Sequence, residues 1–341
     1  MPIINFLCVA APIDRSVFFV EDLSDFILTN AMFYRIILSS EELLPTALGR
    51  GGAMDLIKFT KMQASGNDYI VIDCTETPIG DPSALAVAMS RRRMSVGADG
   101  IVLIVPSEIA DVGMRMYNAD GSEGLTCGNA LRMTARYFYD RKRCGGELDI
   151  ETLSGVRRVR IITDCGKVIS VSAEMGRASR VPADIPAVWH GETVTNVPVD
   201  IDGDRYSVTA LSVGNPHAVI FCARDELLLC GSVGAKLEQH PMFPDRVNVE
   251  FANLRSDGSL EVRVFERGSG ETGSCGSGAC AAVAAAHING YIGPCSTTRV
   301  VMPGGDMRVT CDASLGLTLE GAVETVYEGM YPIGDASEAC L

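Results

Sequence analysis

The sequence predicts an α+β fold made of two pseudo-symmetric domains, each a curved mixed sheet around a central helix. Three observations lead there. The second half repeats the first at a fixed offset of 148 residues. Each copy carries one Cys-Gly directly before a helix-forming run. The segments flanking each run are short and β-branched, as strands are.

The duplication is read residue by residue. Met114–Gly128 lies over Val262–Gly276, with Arg115 on Arg263, Tyr117 on Phe265, Glu123 on Glu271 and Cys127 on Cys275. Ser65–Ile72 falls on Val213–Ile220 at the same offset, and Glu151–Gly155 matches Val300–Gly304 at 149. Units this long denote two domains rather than the short units of a solenoid. The expected division is 54–177 for the first domain, 178–330 for the second and 331–341 for a tail, with Pro182 and Pro186 interrupting the pattern near the join. Residues 1–53 precede the repeat. They are apolar around Val17–Val20 but carry Asp14, Glu21, Asp22 and Asp25 and lack the basic start of a signal peptide. They are expected to be an extension, unstructured or upstream of the true start.

The principal elements follow from periodicity. After Cys127, Leu131, Ala135 and Phe138 recur at helical spacing, and Gly145-Gly146 ends the segment. After Cys275, the run from Ala279 to Ile288 favours helix and is apolar on every face until Asn289-Gly290. Such a helix has to be buried. Strands are expected at 69–73, 100–105, 157–163, 168–173, 218–222 and 262–265.

Composition sets the outer limits. A chain of 341 residues with 47% hydrophobic and 21% charged side chains suits a folded two-domain enzyme. The 29 basic and 43 acidic residues give a net charge of −14, which repels phosphate backbones and anionic lipid, so neither nucleic acid nor a membrane is an expected partner. No apolar run approaches the roughly 18 residues of a spanning helix. The 12 cysteines include no C-x-x-C and the chain has only four histidines, which argues against zinc and thioredoxin-type sites. A long chain without a secretory signal is expected to keep its thiols reduced, in the cytoplasm.

The chemistry is carried by the two Cys-Gly turns. Free N–H groups and the dipole at a helix start stabilise an anion, and a Cys placed there can have its pKa lowered. The glycine after each Cys permits close approach of a ligand to the backbone. Two such turns facing one another would hold a carboxylate between two sulfurs. One thiolate could then remove a proton from one face of a carbon while the opposite thiol delivers a proton to the other. The product is an inverted stereocentre. No lysine in a pyridoxal-phosphate context is recognisable, so no cofactor is expected. Gly268–Gly278 lacks the Gly-Lys-Ser/Thr ending of a phosphate loop.

Five motifs in order carry a resemblance. They are Lys61–Tyr69, Asn118–Glu123 ahead of Cys127-Gly128-Asn129, Gly214-Asn215-Pro216-His217, Glu266-Arg267 with Glu271-Thr272, and Cys275-Gly276-Ser277-Gly278. Together they resemble diaminopimelate epimerase over about Leu56 to Gly329. The resemblance implies cofactor-independent interconversion of LL- and meso-diaminopimelate on the lysine and peptidoglycan precursor route, by a homodimer. It implies Cys127 and Cys275 as the acid/base pair. Asn67, Asn118, Asn215 and Asn248 would hold the distal end of the substrate and Arg267 its distal carboxylate. Gly128, Asn129, Gly276 and Ser277 would serve the reacting carboxylate, with His217 and Glu266 near the reacting ammonium or the thiols. Ala130 stands where many members have Gly, and Gly100 where some have Gln. The residues leave two alternatives open: another cofactor-independent racemase of the same fold, acting on histidine or proline, and a non-catalytic relative.

Overall fold

The computed structural model describes residues 55–125 and 127–333, so the expected extension 1–53 lies outside it. Four α-helices are described: α1 (Pro82–Ser90), α2 (Gly128–Asp140), α3 (Cys230–Glu238) and α4 (Gly276–Ile288). Helices α2 and α4 are each 13 residues long and start 148 residues apart. They are the two helices expected after the Cys-Gly pairs.

The strand pairings repeat as the sequence does. In the first half Asn67–Asp73 lies antiparallel to Asp55–Ala64 and parallel to Gly100–Val105. Val112–Asn118 is antiparallel to Gly100–Val105 and parallel to Glu147–Thr152. Gly155–Asp164 and Lys167–Arg177 extend the sheet antiparallel. In the second half Pro216–Phe221 lies between Asp204–Ser212 and Asn248–Leu254 with the same senses. Leu260–Glu266 likewise has an antiparallel and a parallel neighbour, and Ser296–Met302, Gly305–Cys311 and Gly316–Gly321 complete the copy. The sheets are mixed, as expected. All six expected strands lie within or close to described ones, with ends displaced by a few residues.

Two pairings tie the halves together. Lys167–Arg177 runs antiparallel to Gly316–Gly321, and the last strand, Glu324–Ile333, returns to pair with Asp55–Ala64. The strand therefore crosses the expected 330/331 division and lies on the sheet of the first half.

Burial accounts for the apolar helix. Every residue from Ala279 to Ala286 is fully buried, in a cluster with Val262, Val264, Val300, Val309 and Leu319 from the surrounding strands. Alanine suits this position because it favours helix and lets strand side chains approach the axis. Helix α2 is amphipathic. Its Leu131, Met133, Ala135 and Phe138 pack on Val71, Val102, Ile150 and Val171. Each fully buried side chain of this size contributes roughly 1.5–3 kcal/mol. The cores thus hold both helices against their sheets.

The halves also meet backbone to backbone. A Cβ on Gly304 would lie 2.4 Å from Ser65 O and 3.0 Å from Gly273 O, and Gly304 N donates to Gly273 O at 2.7 Å. These atoms have no rotamer with which to retreat. Gly304→Ala is expected to destabilise the fold by about 3 kcal/mol, read as a lower midpoint in denaturant. A loss under 0.5 kcal/mol would show that the crossing is loose.

Candidate active site

Cys127 and Cys275 occupy equivalent positions in the backbone. Cys127 is the N-cap of α2 at φ −135°, ψ 122°, and Cys275 the N-cap of α4 at φ −134°, ψ 118°. Extended geometry at an N-cap turns the side chain toward the free amides of the first turn. The Cys275 sulfur accepts from Gly278 N at 3.4 Å and lies 3.4 Å from Ser277 Oγ.

The turns face one another. A Cβ on Gly276 would lie 4.0 Å from Gly128 Cα, and a Cβ on either glycine would lie 2.9 Å from Leu319 Cδ2. Leu319 is fully buried, so it forms a common floor under both Cys-Gly pairs. The asparagines repeat the symmetry. Asn129 Nδ2 donates to Asn67 Oδ1 at 3.1 Å, and Asn215 Nδ2 donates to Ser277 Oγ at 3.3 Å, each pair 62 residues apart in sequence. Asn67 also donates to Asp99 Oδ2 at 2.6 Å.

The second half adds a denser polar group. His217 and Glu250 are fully buried, with Nδ1 2.7 Å from Oε1, and His217 Nε2 lies 3.0 Å from Asn215 Oδ1. With the imidazole neutral, the Nδ1–H donates to the carboxylate and leaves Nε2 as an acceptor; protonated, the ring donates to both. Asn248 donates to Pro216 O at 2.8 Å and accepts from Arg267 N at 2.9 Å. Glu266 accepts from Thr272 Oγ1. The Arg267 guanidinium is exposed and donates to Asp245 O at 3.2 Å. Asn118 stands apart from these networks, its Nδ2 bonded to Ser122 Oγ at 2.9 Å within its own turn.

Electrostatics separates the two thiols. Burial pushes both upward, so the lowered pKa expected at a helix start does not appear. For Cys127 burial is offset by the amides of Ala130 and Asn129 and by the Arg132 charge, while Glu266 opposes ionisation. For Cys275 burial acts together with Glu266 and Glu250, and the shift is larger. Glu266 is itself pushed up, chiefly by burial.

Three residues at the site escaped the sequence reading. Tyr69 is buried, and its hydroxyl is pushed well up by burial and by the neighbouring Cys127. The repeat offset pairs it with His217, a signal that was available. Glu250 falls opposite Val102 and Arg132 opposite Cys280. Among the described residues no group of three His, Cys, Asp or Glu could hold a metal ion, and no helix is long and apolar enough to cross a membrane.

Comparison with known proteins identifies the family. The diaminopimelate epimerase family model matches residues 59–181 and 209–326, which include both Cys-Gly turns. Diaminopimelate epimerase of Desulfovibrio desulfuricans is 42% identical over 285 residues, spanning 81% of this chain and 99% of the relative. That of Acetivibrio thermocellus is 39% identical over 275 residues, spanning 80% and 98%. Among solved structures, a PhzF-family phenazine biosynthesis protein of Bacillus anthracis superposes with a TM-score of 0.61 at 18% identity, over 82% of this chain and all of that one. A hydroxyproline epimerase of Agrobacterium vitis does so with a TM-score of 0.59 at 14% identity, over 82% and 94%. These two share the fold. Matching of more than half the chain by the family model and of nearly the whole length of the sequence relatives places this chain in the diaminopimelate epimerase family.

Proposed function

We propose that this protein is a cofactor-independent isomerase that interconverts LL-2,6-diaminopimelate and meso-diaminopimelate with Cys127 and Cys275 as the acid/base pair. One observation carries the reading: two cysteines with matching backbone angles cap two helices whose glycines meet over one leucine. The relatives' name supplies the substrate.

The chemistry follows from that arrangement. An amino acid Cα–H is a very weak acid, so charge developing on its carboxylate needs preformed donors. The amides after Cys127 and Cys275 would supply them from two helix starts, while the sulfurs flank Cα. The thiolate on one side takes the proton and the thiol on the other returns one, leaving thiol and thiolate exchanged. Asn67, Asn118, Asn215, Asn248 and Arg267 would hold the distal end. The protein acts in the cytoplasm as a homodimer on the route to lysine and peptidoglycan precursors, with no nucleic acid or membrane partner. Incubating the purified chain with LL-diaminopimelate, without added pyridoxal phosphate, and resolving the isomers tests the reading. Racemisation of histidine or proline in place of diaminopimelate turnover would overturn it.

Its pH dependence has a definite sign. With Cys127 as base and Cys275 as acid, kcat/KM rises as Cys127 ionises and falls as Cys275 loses its proton. The Glu266 charge raises Cys275, so Glu266→Gln is expected to move the alkaline limb down by about 1 pH unit. An alkaline limb that stays in place or moves up would remove Glu266 from that role.

A further inference from the structure

Arg132, one turn beyond Cys127, is fully buried and the largest side chain in the interior. Its Nη2 donates to Asn129 Oδ1 at 2.7 Å, while Nε and Nη1 have no hydrogen-bond partner among the described residues. No carboxylate among the described residues neutralises it; the groups that favour its charge are the sulfurs of Cys127 and Cys280. Burial brings the guanidinium down to about 10, so it remains charged at neutral pH. An unpaired buried charge is strongly unfavourable to folding. Groups that break a folding rule this plainly tend to serve the chemistry.

Its placement has no counterpart in the second helix start. The offset of 148 puts Arg132 opposite Cys280, and each senses the other where α2 and α4 pack together. A single guanidinium thus sits where two equivalent helices meet. The space is built for it: a Cβ on Gly321 would lie 3.2 Å from Arg132 Nη2.

We propose that Arg132 is a positioning residue whose unneutralised guanidinium makes Cys127, rather than Cys275, the thiol that ionises first. This rests on the two-cysteine reading above. The groups facing Cys127 are Arg132, the amides of Asn129 and Ala130 and the Tyr69 hydroxyl, which donates to the sulfur, all favouring the thiolate, and Glu266, which opposes it. Those facing Cys275 are Glu266 and Glu250, both acidic, against Ser277 Oγ and Gly278 N. Both thiols thus sense Glu266, but Cys127 has a buried cation beside it and Cys275 a second carboxylate. Arg132 also anchors a relay, donating to Asn129 at 2.7 Å, which donates to Asn67 at 3.1 Å, which donates to Asp99 at 2.6 Å, so the side chain of Asn129 is held at both ends.

Iodoacetamide alkylation of the whole protein across neutral to alkaline pH, with each cysteine followed by peptide mass spectrometry, tests this. In the wild type the Cys127 midpoint is expected about 1 pH unit or more below that of Cys275. Arg132→Met and Arg132→Gln are expected to raise the Cys127 midpoint by about 1 unit, a roughly tenfold slower reaction at neutral pH, and to leave Cys275 unmoved. Arg132→Lys keeps most of the difference, and the acid limb of kcat/KM moves with the Cys127 midpoint. Arg132→Met is expected to melt no lower than the wild type, because an unpaired charge gives way to an apolar side chain. Ionisation of Cys275 first, or a Cys127 midpoint unmoved in the neutral variants, would overturn the proposal. So would failure of both neutral variants to fold, since the fold itself would then require the charge. If the thiols titrate as stated but diaminopimelate is not turned over, the proposed function falls and this ionisation order stands.

Discussion

Cys127→Ala and Cys275→Ala are each expected to abolish epimerisation, with kcat reduced at least ~10³-fold, as befits removal of a positioned acid or base from a proton transfer. The loss should be the same for the double variant, because inversion needs both groups in one turnover and residues acting as a unit are not additive. α-Proton exchange of LL-diaminopimelate in D₂O, followed by NMR, reads the step directly. Deuterium entry with appearance of the meso isomer is expected from the wild type and from neither variant. The fold should persist, since each substitution deletes a single sulfur at a helix N-cap; far-UV circular dichroism checks this. A variant that retains a tenth of wild-type inversion would sink the two-thiol mechanism, because no second acid lies within the matching turn.

Much of this was legible in the chain before its coordinates. The repeat offset alone located both helices, since a duplication fixes equivalent positions more securely than the propensity of either copy. The all-apolar run of α4 announced an enclosed helix, and the structure buries Ala279–Ala286 completely. The Asn67–Asn129 and Asn215–Ser277 contacts were implied only as separate residues; their pairing depends on tertiary approach of a strand turn and a helix start. Illegible were the departures from symmetry. Arg132 sits at a position whose mate is a cysteine, and an arginine on a helix normally reads as solvated. Glu250 lies in an otherwise buried strand, opposite a valine in the repeat, so its pairing with His217 required the parallel register of Pro216–Phe221 and Asn248–Leu254. The depressed thiol pKa expected from helix dipoles also failed, because desolvation of a thiolate outweighs a few amides.

Under the proposed function, those same departures would orient a substrate with two chemically similar ends. Asn248, Glu266 and Arg267 of the second half have Gly100, Asn118 and Ala119 as their repeat partners, so a guanidinium stands on one side only. Its backbone is fixed by Asn248, and its charge is paired with no carboxylate among the described residues, its Nη1 donating instead to Asp245 O. A carboxylate received there would form a charge-assisted, bidentate pair. Arg267→Leu is therefore expected to lower kcat/KM for diaminopimelate by roughly 10²–10³-fold, the equivalent of losing about 3–4 kcal/mol from a close charge pair. The loss should fall on kcat as well as KM, because energy released at the distal end holds Cα between the sulfurs. Arg267→Lys should lie between the two, keeping the charge without the planar pair. A threefold or smaller change in Arg267→Leu would place the distal carboxylate elsewhere. The one-sided pocket carries a stereochemical consequence that the same assay reads: only the centre lying between the turns inverts, so LL substrate should pass to meso and stop there. Formation of the DD isomer at a comparable rate would mean that the distal pocket accepts either hand, and the asymmetry around Arg267 would then have no role in orientation.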